Sequence, residues 1–371
     1  MDDARPEVRI PTANPNDSSC EGKEIIMPSK VSGPVRVALI GSGGISGAHA
    51  QGFLKHPDKL KCVAMCDVSE ANLKSRTAQF EPSGTKARTF ADWKVMLKEM
   101  RDEVDAVDIC LPHHLHAPAI LDAAAAGKHI ICEKPMCMSL AEADKIADAV
   151  KRAGVTYMSA HNQLFMPVVQ EAKKLIDEGA IGCVRWLRSQ DCFAAGNTER
   201  EKWGWRADAK TQGGGELIDT GYHPSYRLLH LAGSPVAAIR STMGRFALNI
   251  DGEDTASVQV RFENGAIGEI LTSWSFNNPY GTHQIHVIGE TGQLFGSENT
   301  LYLLPKGYTE PAKRTFKEQH TFEAELVHFA ECLNEGKRPI HSVEEGRAVL
   351  ELILNAAKSA EGWQQTAVRK A

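Results

Sequence analysis

The feature that most constrains this chain is a short apolar run that breaks into glycines. Val35 to Ile40 reads VRVALI, and Gly41-Ser42-Gly43-Gly44-Ile45-Ser46-Gly47 follows at once. A run this short and this apolar suits a strand buried on both faces, as in a parallel sheet. Glycine allows a tight turn at Gly41 and close approach of a phosphate to the backbone at Gly43, with Gly44 and Ile45 completing the turn. The helix expected next, Ala48 to Lys55, would offer free N–H groups and a positive dipole end to a pyrophosphate. The third motif position holds Ser46, small enough to keep helix and strand close. Asp67 ends the next strand, Cys62 to Cys66. A carboxylate there accepts hydrogen bonds from a ribose diol and repels a 2′-phosphate. Val68, Ser69 and Glu70 supply no cation to reverse that preference. The expected cofactor is NAD.

The alternation continues for more than a hundred residues. Helical spacing over Ala71 to Phe80 precedes a strand at Ala106 to Leu111. The helix Ala117 to Ala126, the strand His129 to Cys132, the helix Leu140 to Arg152 and the strand Val155 to Ser159 follow. Ser139 and Glu142 have the spacing of a capping box. Strands alternating with helices predict an α/β fold with a doubly wound parallel sheet, here over 33–160. The character changes over 161–371. A helix, Val168 to Glu178, leads into strands at Cys183 to Gln190, Ala237 to Met243, Thr255 to Phe262, Ala266 to Trp274 and His283 to Ile288. Asn264-Gly265 is a hairpin signal. Helices Phe322 to Leu333 and Val343 to Ser359 close the chain. This half reads as an α/β domain on a mostly antiparallel sheet, one face of which is free to pair with a second copy. Residues 1–32, polar and proline-containing without an apolar core, read as a flexible extension, with Met27 as an alternative start.

Composition excludes several classes. Lys plus Arg is 42 against 47 Asp plus Glu, a formal net charge of −5. That balance argues against a nucleic-acid or membrane-surface partner. No apolar run reaches the roughly 18 residues of a membrane span. The 9 cysteines form no CxxC pair, which points to reduced thiols and a cytoplasmic protein rather than a disulfide scaffold.

Three constellations can carry chemistry. Glu133-Lys134-Pro135 stands at the carboxyl end of a parallel strand, where open α/β sheets bind ligands. A lysine there can stabilise a developing alkoxide. Gly213-Gly214-Gly215-Glu216-Leu217-Ile218-Asp219-Thr220-Gly221-Tyr222-His223 places three glycines before an apolar helix. The glycines suggest close backbone approach to a ligand. Asp219 and His223, four apart, would share a helical face. A histidine can take a hydroxyl proton as hydride leaves, and Asp219 can orient it or bind a substrate hydroxyl. His113, His114 and His116 sit where a strand meets a helix. They lack acidic partners at metal-ligand spacing, so cleft lining or capping is the preferred reading and no metal is expected. Trp205, Arg206 and Tyr280 have side chains suited to a sugar ring.

These segments, from VRVALIGSGGISGAH through CVAMCDVSEANL and AVDICLPHHLHAPAILDAAAAGKHIICEKPM to GGGELIDTGYH, together resemble the Gfo/Idh/MocA oxidoreductases, named for glucose–fructose oxidoreductase and inositol dehydrogenase. The likeness runs over about residues 34–362. It implies a Rossmann domain, a C-terminal domain with a large open sheet often used in homo-oligomers, and oxidation or reduction of a hydroxyl on a sugar, cyclitol or glycoside. By the same resemblance Lys134, Asp219 and His223 are the catalytic group. Gly41, Gly43 and Asp67 hold the cofactor, with Gly44, Ile45, Leu111, Pro112, His116 and Glu133 beside it. Asn162, Trp205, Arg206 and Tyr280 join the substrate side. Where the family has Ser/Thr-Pro-Asn, this chain has Leu111-Pro112-His113. His161-Asn162-Gln163-Leu164-Phe165 replaces an arginine pair, which favours a neutral polyol or glycoside. Three alternatives share the fold: an NAD-using enzyme that cleaves glycosides through transient ring oxidation, a non-catalytic sugar or nucleotide sensor, and a reductase of a non-sugar carbonyl or diol.

Overall fold

The computed structural model describes residues 30–362. Most of the expected extension lies outside them. The first unit runs β1 (Val35–Ile40), α1 (Ser46–Lys55), β2 (Leu60–Cys66), α2 (Glu70–Phe80), β3 (Arg88–Phe90), α3 (Trp93–Glu99), β4 (Ala106–Ile109), α4 (His116–Ala125), β5 (His129–Glu133), α5 (Leu140–Ala153) and β6 (Tyr157–Ala160). Its six strands pair in the order β3-β2-β1-β4-β5-β6, all parallel. Strands β4, β5 and β6 are buried along their whole length, Asp108, His129 and Glu133 included. The strand order reverses between β1 and β4. That reversal opens a crevice at the carboxyl ends of those two strands.

The second unit continues with α6 (Pro167–Asp177), β7 (Val184–Cys192), the short α7 (Ala209–Gln212), α8 (Tyr222–Ala232), β8 (Val236–Gly244), β9 (Thr255–Phe262), β10 (Ile267–Ser273), β11 (Ile285–Gly289), β12 (Gly292–Ser297), β13 (Thr300–Pro305), β14 (Ala312–Thr315), α9 (Thr321–Glu335) and α10 (Val343–Glu361). Eight strands order as β14-β13-β12-β11-β7-β10-β9-β8. Every pair is antiparallel except β7 with β10. The hairpin at Asn264-Gly265 forms as expected, with Gly265 at φ +85°. Strands β12 to β14 were not anticipated, and neither were β3 and α3.

Two packing details matter for the site. Helix α9 returns to the first unit and lies against α1. A Cβ on Gly52 would stand 2.8 Å from Leu326 Cδ1, so glycine lets the helices approach closely. The expected box at Ser139 is only half formed. Ser139 Oγ accepts the Glu142 N–H at 3.3 Å, while the Glu142 carboxylate accepts from Met138 N. A complete capping box stands instead at Ser342 and Glu345, opening α10. The eight cysteines among the described residues are free thiols. No helix among those residues is long and apolar enough to cross a membrane.

Candidate active site

A cavity of about 630 Å³ runs along the crevice from Asp67 to His223. At one end the glycine turn is built as its sequence demands. Gly41 has φ +94°, and a Cβ there would stand 2.3 Å from the Cys110 carbonyl oxygen. Gly43 and Gly44 face open space, with nothing within 4 Å of an added Cβ. Ser46 is fully buried. Its hydroxyl donates to Gly43 O at 2.7 Å and accepts from Arg76 Nε at 3.0 Å, which ties the turn to α2. Asp67 Oδ2 accepts from Ser42 N at 2.8 Å and Oδ1 from Ser69 N at 2.7 Å. Its carboxylate is fixed at the cavity wall with lone pairs to spare. Val68, Ser69, Asn72, Ala91 and Trp93 complete that end and include no cation. The donor set fits a dinucleotide that carries a ribose diol and lacks a 2′-phosphate.

At the other end, four polar side chains from different segments converge. Lys134 directly follows β5, and the Lys134–Pro135 peptide is cis. Its Nζ donates to Asp219 Oδ1 at 2.6 Å and to Asp219 O at 2.9 Å. Arg206 Nε donates to Asp219 Oδ2 at 2.6 Å, and the guanidinium lies over the Trp205 ring at 4.2 Å. Burial alone would raise the Asp219 pKa. The adjacent Lys134 and Arg206 instead hold it well below the usual carboxylate range. One carboxylate is thus shared by two cations. His223, in the first turn of α8, is held neutral by burial and by the nearby charge of Lys134. Trp205 packs edge-on against His113 at 4.6 Å, and Phe322 from α9 adds a further apolar wall.

The structure corrects several expectations. Asp219 and His223 do not share a helical face, because α8 begins at Tyr222 and Asp219 sits in the turns before it. Asp219 does not orient the imidazole. His223 Nδ1 is bonded to the Tyr226 hydroxyl at 2.8 Å. The triple glycine does not line the cavity, and a Cβ on Gly215 would stand 2.1 Å from Glu253 O, so this glycine serves packing against the 252–254 segment. Gly41, Gly43, Gly44, Ile45, Asp67, Leu111, Pro112, Glu133, Lys134, Trp205, Arg206, Asp219 and His223 all line the cavity. His116 is fully buried outside it, its ring nitrogens 2.6 Å from Pro135 O and 2.7 Å from Leu111 O. It supports the loop after β5 rather than touching the crevice. Asn162 also lies behind the wall, bonded to Thr321 Oγ1 at 3.0 Å. Tyr280 is wholly exposed on the loop after β10 and is not part of the cavity. The three neighbouring histidines do not converge: His113 Nδ1 bonds Gln212 O, and His114 Nδ1 bonds Thr211 O.

Two contributors escaped the sequence reading. Tyr226 looks like one more apolar-face residue of α8, and only its position three after His223 hinted at the contact. His49 stands in α1 with its ring wholly buried. Its Nδ1 meets both oxygens of Asp108 at 3.0 and 3.1 Å, and its Nε2 meets Glu133 Oε1 at 3.0 Å. A histidine among Ala48, Ala50 and Phe53 was the available signal.

Comparison with known proteins agrees with this architecture. The profile described as the oxidoreductase family with an NAD-binding Rossmann fold matches residues 35–161, and the GFO/IDH/MocA C-terminal domain matches residues 169–295. Levoglucosan dehydrogenase of Pseudarthrobacter phenanthrenivorans is 32% identical over 68% of this chain and 71% of its own. The scyllo-inositol 2-dehydrogenase (NAD(+)) of Bacillus subtilis is 29% identical over 88% of this chain and 94% of its own. A solved levoglucosan dehydrogenase, in complex with NADH and levoglucosan, shares the fold at a TM-score of 0.79. It covers 88% of this chain and 97% of that one at 24% identity. The chain belongs to the Gfo/Idh/MocA family and is an NAD-dependent dehydrogenase acting on CH–OH groups.

Proposed function

We propose that this enzyme oxidises a secondary ring hydroxyl of a neutral sugar, glycoside or cyclitol to a ketone. The observation that carries the reading is the meeting of Lys134, Asp219, Arg206 and a neutral His223 at one end of a crevice whose other end is built for a ribose diol. The relatives reported above are named for uncharged ring polyols, which agrees with it.

Gly41 to Ser46 and the start of α1 receive the pyrophosphate, and Asp67 receives the adenosine ribose. NAD supplies the hydride acceptor. Trp205, Phe322, Leu111 and Pro112 form apolar walls against which the C–H face of a ring can lie. Lys134 Nζ, anchored by Asp219, donates to the reacting oxygen and stabilises the negative charge that develops there. His223 takes the hydroxyl proton on Nε2; its neutral state leaves a lone pair available at ordinary pH. The N–H groups of Arg206 not used by Asp219 are placed to bind a neighbouring substrate hydroxyl. The C–H electron pair leaves as hydride, the O–H proton passes to His223, and a ketone remains.

The open face of the eight-stranded sheet carries Trp186, His286, Phe295 and Tyr302 in adjoining contact, and is where a second copy would pair. Sedimentation of Phe295→Glu beside the parent chain tests that pairing.

The reaction is tested by following NADH at 340 nm with NAD and NADP, against inositols, aldoses and O- and C-glucosides. Products are identified by mass spectrometry. NADH together with a ring ketone is the expected result. Aglycone release without net NADH would replace this reading with the glycoside-cleaving one.

A further inference from the structure

The end of the crevice that holds Lys134 rests on a buried charge cluster. His49 and Asp108 are fully buried, Glu325 from α9 is fully buried, and Glu133 is 7% exposed. His49 Nδ1 faces the Asp108 carboxylate, with the Cys110 thiol close by, and Nε2 faces Glu133 Oε1 at 3.0 Å and Glu325 Oε1 at 3.8 Å. Carboxylates accept, so the geometry has both ring nitrogens donating, and His49 is an imidazolium. Burial opposes that charge, yet the adjacent Asp108 holds the His49 pKa well above its ordinary value.

The three acids are not equivalent. Glu133 Oε1 accepts from His49, and Oε2 accepts from Lys134 N at 3.0 Å. Against the cost of burial, these donors hold its pKa below the ordinary value. Neither oxygen of Glu325 has a hydrogen-bond partner, and burial drives its pKa well above the ordinary value, so it is a neutral acid. One cation then stands against two carboxylates, Asp108 and Glu133. Of these, only Glu133 reaches the cavity wall. Lys134 and Arg206 share Asp219, so that neighbouring group carries one positive charge in excess, and Glu133 is the anion at the wall that stands against it.

We propose that Glu133, hydrogen-bonded to His49 at the cavity wall, sets the enzyme's preference for oxidised over reduced nicotinamide cofactor. This rests on the placement of the hydride acceptor beside Lys134 argued above. The nicotinamide ring is cationic in NAD+ and neutral in NADH. A fixed carboxylate at the wall, in a site of low dielectric, favours the charged ring and leaves the neutral one nearly indifferent. Product NADH is thereby weakened relative to NAD+, which suits an enzyme that works toward oxidation.

The test measures dissociation constants for NAD+, NADH and ADP-ribose by titration, with no substrate present. In the parent protein NAD+ should bind at least as tightly as NADH. NADH tenfold tighter would overturn the proposal without any variant. Glu133→Gln keeps the shape and removes the charge, and it should move the NAD+/NADH ratio toward NADH about tenfold while leaving ADP-ribose unchanged. A ratio that stays put with both cofactors bound overturns the proposal. Glu325→Gln, the exchange of one neutral side chain for another, should leave the ratio where it is. An equal shift there overturns the assignment of the charge to Glu133. Should Glu133→Gln weaken ADP-ribose as much as NAD+, the placement of the ring beside Lys134 fails instead.

Discussion

Nδ1 of His223 lies 2.8 Å from the hydroxyl of Tyr226. That hydroxyl also accepts Gln163 N–H at 3.0 Å and reaches Asn162 Oδ1 at 3.4 Å. The arrangement that satisfies every atom has His223 Nδ1–H donating to Tyr226 O and Tyr226 O–H donating to Asn162, which passes the chain on to Thr321. The Nε2 lone pair is then left for the substrate. Tyr226→Phe removes the acceptor and frees the tautomer. A hydrogen bond of this kind is worth about 1 kcal/mol, so kcat should fall roughly 5- to 10-fold. KM should change little, while the thermal midpoint falls because the buried Gln163 N–H and Asn162 lose a partner. A kcat equal to the parent's would show that Tyr226 does not position the imidazole.

In the proposed reaction Lys134 and His223 act on the substrate directly. Replacing either by alanine should cost at least ~100-fold in turnover, the scale of one acid–base or alkoxide partner. Arg206→Ala should act mainly on KM, because Lys134 still holds Asp219. Steady-state kinetics on the substrate found in the panel separates the two patterns. Near-parental rates in both alanine variants would remove them from the mechanism.

Part of this site was legible because its chemistry is local. The buried strand, the glycine turn and Asp67 lie within one βαβ unit, and each residue type answers a nearby steric or electrostatic demand. Lys134 was legible for the same reason, at the carboxyl end of a parallel strand. The partners of Asp219 were not, since Arg206 and Lys134 meet it from an irregular loop and from another unit, and no periodicity reports such a contact. The helical spacing of Asp219 and His223 misled because Gly221 is held close to the Leu217 backbone, and the regular helix starts only after it. Strands β12 to β14 were missed because Gly292, Gly296 and an exposed, charged β14 interrupt the alternation that marks a strand.

Asp67 predicts cofactor choice. Its oxygens already fix Ser42 and Ser69, and its charge would face a 2′-phosphate across the cavity wall. Asp67→Ser should raise KM for NAD about tenfold, the effect of losing roughly 1.4 kcal/mol of hydrogen bonding to the ribose. Activity with NADP should rise from its parental level in the same variant. Unchanged kinetics with both cofactors would remove Asp67 from the ribose site.

Buried histidines make the fold sensitive to acid. Burial lowers His113 and His341 to about 3 and His230 to about 4, against 6.5 in their ordinary state. Their folded pKa values lie below the unfolded ones, so the unfolded chain binds more protons between those limits. Their stabilising effect is complete above about pH 6.5 and is lost as pH falls toward the folded values. Each contributes a slope of about 1.4 kcal/mol per pH unit across that window. His49, whose pKa is raised, has the opposite sign: its contribution is complete below pH 6.5 and is lost only as pH climbs through its folded value. The urea midpoint should therefore drop between pH 7 and pH 5, and His230→Asn should flatten the dependence. A midpoint constant over that range would show that these histidines titrate normally.

Gly215 offers a test of what the glycine run is for. A Cβ there would stand 2.1 Å from Glu253 O and 2.4 Å from Glu253 N. Backbone atoms cannot swing aside as a flexible side chain can, so Gly215→Ala must push apart two segments that also exchange the Glu216 N–H to Glu253 O bond. The expected cost is about 1–3 kcal/mol, read as a lower thermal midpoint. The displaced segment leads straight into Asp219, so Lys134 loses its anchor and turnover should fall with stability. Gly43→Ala makes the contrast, since a Cβ there meets no protein atom. That variant should melt like the parent and lose affinity for NAD, because the methyl group projects where the pyrophosphate must approach. If Gly215→Ala instead melted normally and lost only ligand binding, the glycine run would be a ligand cradle after all.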